Sequence, residues 1–223
     1  MDLLSLVLTL RPTAAGTPPP RLGRAAHAIL LRQIAAQDPA LAESLHSDDG
    51  PKPLTCSDLL GSRRREQVTP DETYTLRYTA LTAPVAAALA NAFTVGQTLT
   101  FEDVTFEIVA LTLPPTAPNP QSPIPNPPSA VPSAAIPQAL YPAPQSPTPW
   151  IGSDDYQELA ARHLLPAGPL PPTSWSILLA APLAFQSKGK TQPFPLPELF
   201  FGSLVQRWNT FAPVALPEEG IRR

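Results

Sequence analysis

Apolar residues alternate, then recur at helical spacing, then alternate again over the first half of this chain. Residues 3–10, LLSLVLTL, form a short β-forming apolar run and predict a buried first strand. The prolines of 17–21 bar a helix interior and hold the chain extended. Beyond them Leu22, Ala26, Ile29, Leu30 and Ile34 recur at helical spacing, which predicts a helix over 21–36. Asp38 suits an N-cap and Pro39 a first helical turn, so a short helix is expected over 39–46. A short strand follows at 54–60. TYTLRYTA, 73–80, alternates and is rich in β-formers, the pattern of a strand. The alanine-rich 83–93 predicts a helix with a proline in its first turn, broken at Gly96, and 98–101 and 104–113 read as strands. The order strand–helix–strand–strand–helix–strand is the ferredoxin-like split βαβ arrangement, an α+β fold.

Past residue 113 that patterning stops. Residues 114–149 are a low-complexity run of Pro, Ala, Ser, Asn and Gln. Proline removes backbone donors and fixes φ, so a disordered or polyproline-like excursion is expected there. A docking strip for a proline-recognising partner is the sharper alternative. Patterning resumes at Trp150. Ser153 is the expected cap of a helix over 154–163, followed by a proline-rich turn at 166–172 and a buried strand over 175–185. Pro182 places the far end of that strand at an edge or bulge. A basic turn at 186–190 leads to a helix over 195–209, where Leu199, Phe200, Leu204 and Trp208 share a face and Trp208 is expected in the core. The chain therefore divides into 1–113, a proline-rich insertion 114–149, and 150–223. One strand and one helix cannot cover their own apolar faces, so the last region reads as part of a second domain.

Composition changes this picture in two ways. The chain has 33 Pro but only 10 Gly among 223 residues, so it is stiffened rather than loosened. The net charge of −3 lacks the global basic signature of a nucleic-acid binder, so any such site must be a local patch. Cys56, the single cysteine, excludes an internal disulfide and a cysteine-based zinc site, and is in keeping with a cytoplasmic protein. The N-terminus superficially resembles a short signal peptide, yet Asp2 is acidic and no basic region precedes the apolar run. No apolar run approaches the ~20 residues that span a bilayer, and no membrane association is expected.

The chemistry concentrates in residues 45–57, where His46 and Lys52 follow the second helix. An imidazole moves protons near neutral pH, and an ammonium neutralises phosphate. The alternative is ordinary: a helix-end cation in a solvated loop. His27, on the first helix, is the second choice as proton carrier, with a packed helix residue as its ordinary reading. Asp48 and Asp49 lack further ligands, so no metal and no cofactor are expected. Ser44, Ser47 and Ser57 fit no Ser–His–Asp order.

Several segments together resemble the CRISPR-associated endoribonucleases of the Cas6 family. They are LGRAAHAILLR (22–32), DPALAESLH (38–46) and GPKPLTCS (50–57), then PLAFQSKGK (182–190) and PLPELFFGSLVQRWN (195–209). The resemblance implies two tandem ferredoxin-like, RRM-type domains, the second partial here. It also implies a bound RNA hairpin and metal-independent attack by a ribose 2′-hydroxyl, giving a 2′,3′-cyclic phosphate and a 5′-hydroxyl. On that reading CRISPR repeat RNA, the crRNA precursor, is substrate and partner, with other CRISPR effector subunits as further partners. His46 is the general acid or base, and Lys52 steadies the transition-state phosphorane. The cations expected at the RNA are Arg24, Arg32, the cluster Arg63, Arg64 and Arg65, then Lys188, Lys190 and Arg207. The tyrosine often found on the family's first helix and its C-terminal glycine-rich loop have no counterpart, so the chain reads as a C-terminally truncated relative. The competing expectation is a non-catalytic subunit that holds repeat RNA within an effector complex.

Overall fold

The computed structural model describes residues 1–19, 22–47, 50–61, 67–114, 150–164, 177, 185–187, 189–194 and 196–217. The first unit follows the expected order. β1 (Leu3–Pro12), α1 (Leu22–Gln37) and α2 (Pro39–Ser47) lead to β2 (Leu54–Cys56) and β3 (Tyr74–Ala80), then α3 (Ala83–Ala90), β4 (Thr98–Phe101) and β5 (Val104–Thr112). The sheet runs β2-β3-β1-β5-β4, with every pair antiparallel. Four of these strands, in the order β2-β3-β1-β5, make the ferredoxin-like sheet, and β4 adds a hairpin at one edge.

Alternation explains which face packs. Along β3, Tyr74, Leu76, Tyr78 and Ala80 are buried while Thr75, Arg77 and Thr79 are partly exposed. Leu4, Leu6, Leu8 and Leu10 of β1 meet the same core, and α1 adds Leu22, Ala26, Ile29, Leu30 and Ile34. At roughly 1.5–3 kcal/mol for each large apolar side chain buried, this cluster is the main force holding the unit together. The Asp38 side chain accepts the Leu41 N–H at 2.9 Å and so caps α2, as its sequence predicts.

The strand expected at 54–60 is shorter than its pattern suggests. Pairing with β3 ends at Cys56, and the chain leaves the ladder where Ser57 Oγ accepts the Arg77 N–H at 2.9 Å. Leu60 returns only as an isolated bridge to Thr75.

The second half holds β6 (Gly152–Asp154), α4 (Tyr156–Leu164), a hairpin of β7 (Phe185–Ser187) and β8 (Lys190–Gln192), and α5 (Pro197–Phe211). β6 was not expected, and it pairs with β1. Thr112 of β5 faces Val7, and Gly152 of β6 faces Ser5, both antiparallel to β1. β5 and β6 therefore lie along one line beside β1, and the proline-rich residues are inserted into that line. The expected cap also moves: Ser153 is in β6, and the Asp155 side chain accepts the Gln157 N–H at 3.2 Å. Trp208 is only partly buried rather than a core residue. It stands edge-on to Tyr156, with ring centroids 5.4 Å apart. Leu204 is 50% exposed, so the apolar face of α5 is open in part. The expected strand over 175–185, the turn at 166–172 and the insertion from 115 to 149 lie outside the described residues.

Candidate functional site

Three elements meet around the loop that carries Lys52. Helix α1 is seated over β2 and β3 by two hydrogen bonds to its first turns. The buried Tyr78 hydroxyl donates to the Ala26 carbonyl at 2.9 Å, and the Cys56 thiol donates to the Gly23 carbonyl at 3.1 Å. Burial and then the nearby Asp58 carboxylate push the Cys56 thiol up to about 11, which keeps it protonated and unreactive. His27 follows Ala26 on the flank of α1 and is half-buried.

Lys52 is held between two prolines. Its loop is pinned because Pro53 accepts the Leu81 N–H at 2.8 Å. The Lys52 ammonium makes a long contact, 3.5 Å, with the backbone carbonyl of His46. That places a cation at the C-terminus of α2, where the free carbonyls and helix dipole favour it. Its charge also bears on His27: burial first, and the Lys52 ammonium second, lower the His27 pKa below its ordinary value. Arg207 of α5 enters from the second half, where its guanidinium donates to the Lys52 carbonyl at 3.4 Å.

One corner thus brings together His27, Lys52, the His46 backbone and Arg207. The imidazole of His46 is exposed on the last turn of α2, and the main chain of His46 is one partner of Lys52. Arg24 is exposed three residues before His27, on the same side of α1, whereas Arg32 is exposed five residues beyond it, well around the helix. Lys190 is exposed in β8. Arg63, Arg64, Arg65 and Lys188 lie outside the described residues, as do Asp48 and Asp49. Among the described residues no group of three or more His, Cys, Asp or Glu side chains could hold a metal ion, and no helix is long and apolar enough to cross a membrane.

Sequence reasoning passed over Arg77. It is partly buried in the middle of β3, and its Nε donates to Ser5 Oγ at 2.8 Å. The alternation of 73–80 already puts it on the face away from the apolar residues, but its partner lies far along the chain in β1.

Residues 3–91 match the model of the CRISPR Cas6 N-terminal domain, and residues 177–222 match that of CRISPR-associated endoribonuclease Cas6; together they cover more than half of the chain. Among solved structures, the chain is similar to the Cas6 (TTHA0078) product complex, with a TM-score of 0.58 and 23% identity over 100% of this chain and 69% of that one. It is also similar to the Cas6 (TTHB231) product complex, a protein of Thermus thermophilus, with a TM-score of 0.56 and 20% identity over 97% of this chain and 67% of that one. The Cas6 (TTHA0078) substrate mimic complex gives 0.54 and 21% over 98% and 66%. At these identities the likeness is one of fold, and the chain spans about two thirds of the length of each. No curated protein matches it in sequence.

Proposed function

The chain belongs to the CRISPR-associated Cas6 family, and from that premise we propose that it cuts CRISPR repeat RNA into guide units. The description of the second family model as an endoribonuclease and the product and substrate-mimic complexes of similar structures support this reading. The proposed reaction is attack of a ribose 2′-hydroxyl on the adjacent phosphate. The 2′-oxygen forms the new P–O bond, the P–O5′ bond breaks, and the departing 5′-oxygen takes up a proton from solvent. The products are a 2′,3′-cyclic phosphate and a 5′-hydroxyl.

The observation that carries the site assignment is the corner where the Lys52 loop, the C-terminus of α2 and Arg207 meet beside the helix that carries half-buried His27. In this mechanism neutral His27 takes the 2′-hydroxyl proton, and its lowered pKa keeps it neutral near pH 7. Lys52 faces the charge that develops on the phosphorane oxygens, where a positioned cation contributes most. His46 supplies the carbonyl that helps hold Lys52, and its imidazole becomes the second choice for the proton carrier. Arg24, exposed on the His27 side of α1, is proposed to meet phosphate. Arg32, Arg63, Arg64, Arg65, Lys188 and Lys190 remain proposed RNA contacts, while Arg207, expected from the sequence among them, is assigned to positioning the Lys52 loop.

The test is cleavage of repeat RNA in EDTA by wild type and by His27→Ala, His46→Ala and Lys52→Ala. Loss of a general base costs about 10²–10⁴-fold, so His27→Ala should fall in that range. His46→Ala should stay within a few-fold of wild type. The reverse pattern would restore His46 as the proton carrier. Tight binding without cutting by wild type would instead support the RNA-holding subunit.

A further inference from the structure

Helices α1 and α3 pack on one face of the sheet. The other face carries Thr55 of β2, Thr75, Arg77 and Thr79 of β3, and Ser5, Val7 and Thr9 of β1. The register brings these into a compact block: Thr9 faces Thr75, Val7 faces Arg77, and Ser5 faces Thr79, which in turn faces Thr55. Thr55 and Thr79 share a hydroxyl–hydroxyl hydrogen bond at 2.5 Å. Apart from Val7, which is fully buried opposite Arg77, every member of the block is partly exposed.

Arg77 is the one charge in this block. Its Nε is engaged by Ser5 Oγ at 2.8 Å, and Ser5 Oγ in turn donates to the Trp150 carbonyl at 2.5 Å. Its two terminal nitrogens make no hydrogen bond among the described residues, and no carboxylate there forms an ion pair with it. Among the described residues this partly buried guanidinium has lost some of its hydration without gaining a counter-charge, which favours an anionic partner. Its orientation is already set by Ser5, which lowers the entropy lost when its terminal donors engage a ligand.

The surrounding chemistry selects the anion. Hydroxyls and a guanidinium are the groups that contact phosphate oxygens and sugars in nucleic-acid complexes. The block contains no aromatic side chain on which a base could stack. We propose that Arg77 anchors a backbone phosphate of the RNA strand on the face of the sheet turned away from α1, as a contact indifferent to base identity. The inference rests on the RNA reading above. β2 is the edge strand of the sheet, and the Lys52 loop leads directly into it. An RNA strand that rounds this edge reaches the cutting corner on one side and Arg77 on the other.

The experiment measures anisotropy of a fluorescein-labelled twelve-residue polyuridylate RNA against salt concentration, with the full chain. Arg77→Met should weaken binding by about fivefold or more and flatten the salt slope by about 0.7, the value of one phosphate contact on a single strand. Arg77→Lys should recover part of both. Because Arg77→Met can also disturb Ser5, Thr75→Lys adds a charge on the same face; it should tighten binding and steepen the slope. Unchanged affinity and slope in both Arg77→Met and Thr75→Lys overturn the proposal, as does absence of RNA binding by wild type. The two readings separate cleanly. Weakened binding by Arg77→Met in a protein that never cuts repeat RNA upholds the anchor and sinks the nuclease. Unchanged affinity and slope in both Arg77→Met and Thr75→Lys, alongside loss of cutting in His27→Ala, do the opposite.

Discussion

The Tyr78 hydroxyl donates to the Ala26 carbonyl at 2.9 Å, one residue before His27, so a strand buried in the sheet holds the turn of α1 that presents the imidazole. Tyr78 is itself fixed by stacking on Phe93, with ring centroids 5.1 Å apart and planes 11° from parallel. Burial raises the Tyr78 pKa well above its ordinary value, so the hydroxyl remains a donor across the working range. Tyr78→Phe keeps the ring and deletes the donor. Stability should drop by about 1 kcal/mol, the net worth of one hydrogen bond, as read from urea denaturation. Cleavage should fall more than folding does, because α1 loses a restraint next to His27.

The His27 pKa is lowered by burial and by Lys52, and the sign of its effect on stability follows. Above the unfolded pKa of about 6.5 the imidazole is neutral in both states and the shift has no effect. As pH falls through 6.5 and then through the lower folded value, the unfolded chain takes up the proton first, and stability is lost. His27→Gln should therefore be less sensitive than wild type to acidification between about pH 7 and 5, measured by thermal midpoints. In the same window the wild-type cleavage rate should hold up to lower pH than an ordinary histidine base allows. A Lys52→Met background should shift that acidic limb upward.

Arg207 reaches from α5 to the Lys52 carbonyl at 3.4 Å and so acts on the lysine's backbone. Arg207→Ala should lower kcat for repeat RNA by about fivefold, equivalent to about 1 kcal/mol of positioning, with a smaller change in KM. Arg207→Lys should restore little, since a single ammonium does not reproduce the guanidinium fork. A large KM effect with kcat unchanged would identify Arg207 as an RNA contact instead.

Thr112 and Gly152 face Val7 and Ser5, two positions apart on β1. At about 3.3 Å per residue those points are roughly 7 Å apart, so a linker of about four residues spans them. Replacing residues 115–149 with a short Gly-Ser linker should leave the thermal midpoint within a few degrees of wild type. It should also leave His27-dependent cleavage intact. A collapse of the fold would show that the insertion packs on the unit it interrupts.

What the amino-acid order determined by itself was local. The 3.6-residue spacing of Leu22 to Ile34, the alternation of Tyr74 to Ala80 and the cap at Asp38 each depend on neighbours a few positions away, and each was legible. So was the ferredoxin-like order of the first unit, because that order is a string of local elements. The tertiary structure decided the rest. That the Lys52 ammonium reaches the His46 carbonyl, and that its loop lies beside α1, depends on how α1 and α2 lie over β2, through contacts such as Tyr78 to Ala26. That Arg77 is steadied by Ser5 depends on the β1–β3 register, and that β6 extends the line of β5 depends on a partner shared across the proline-rich insertion. Periodicity tells each side chain which face of its own element it occupies; only the packed sheet and helices bring side chains from different elements together.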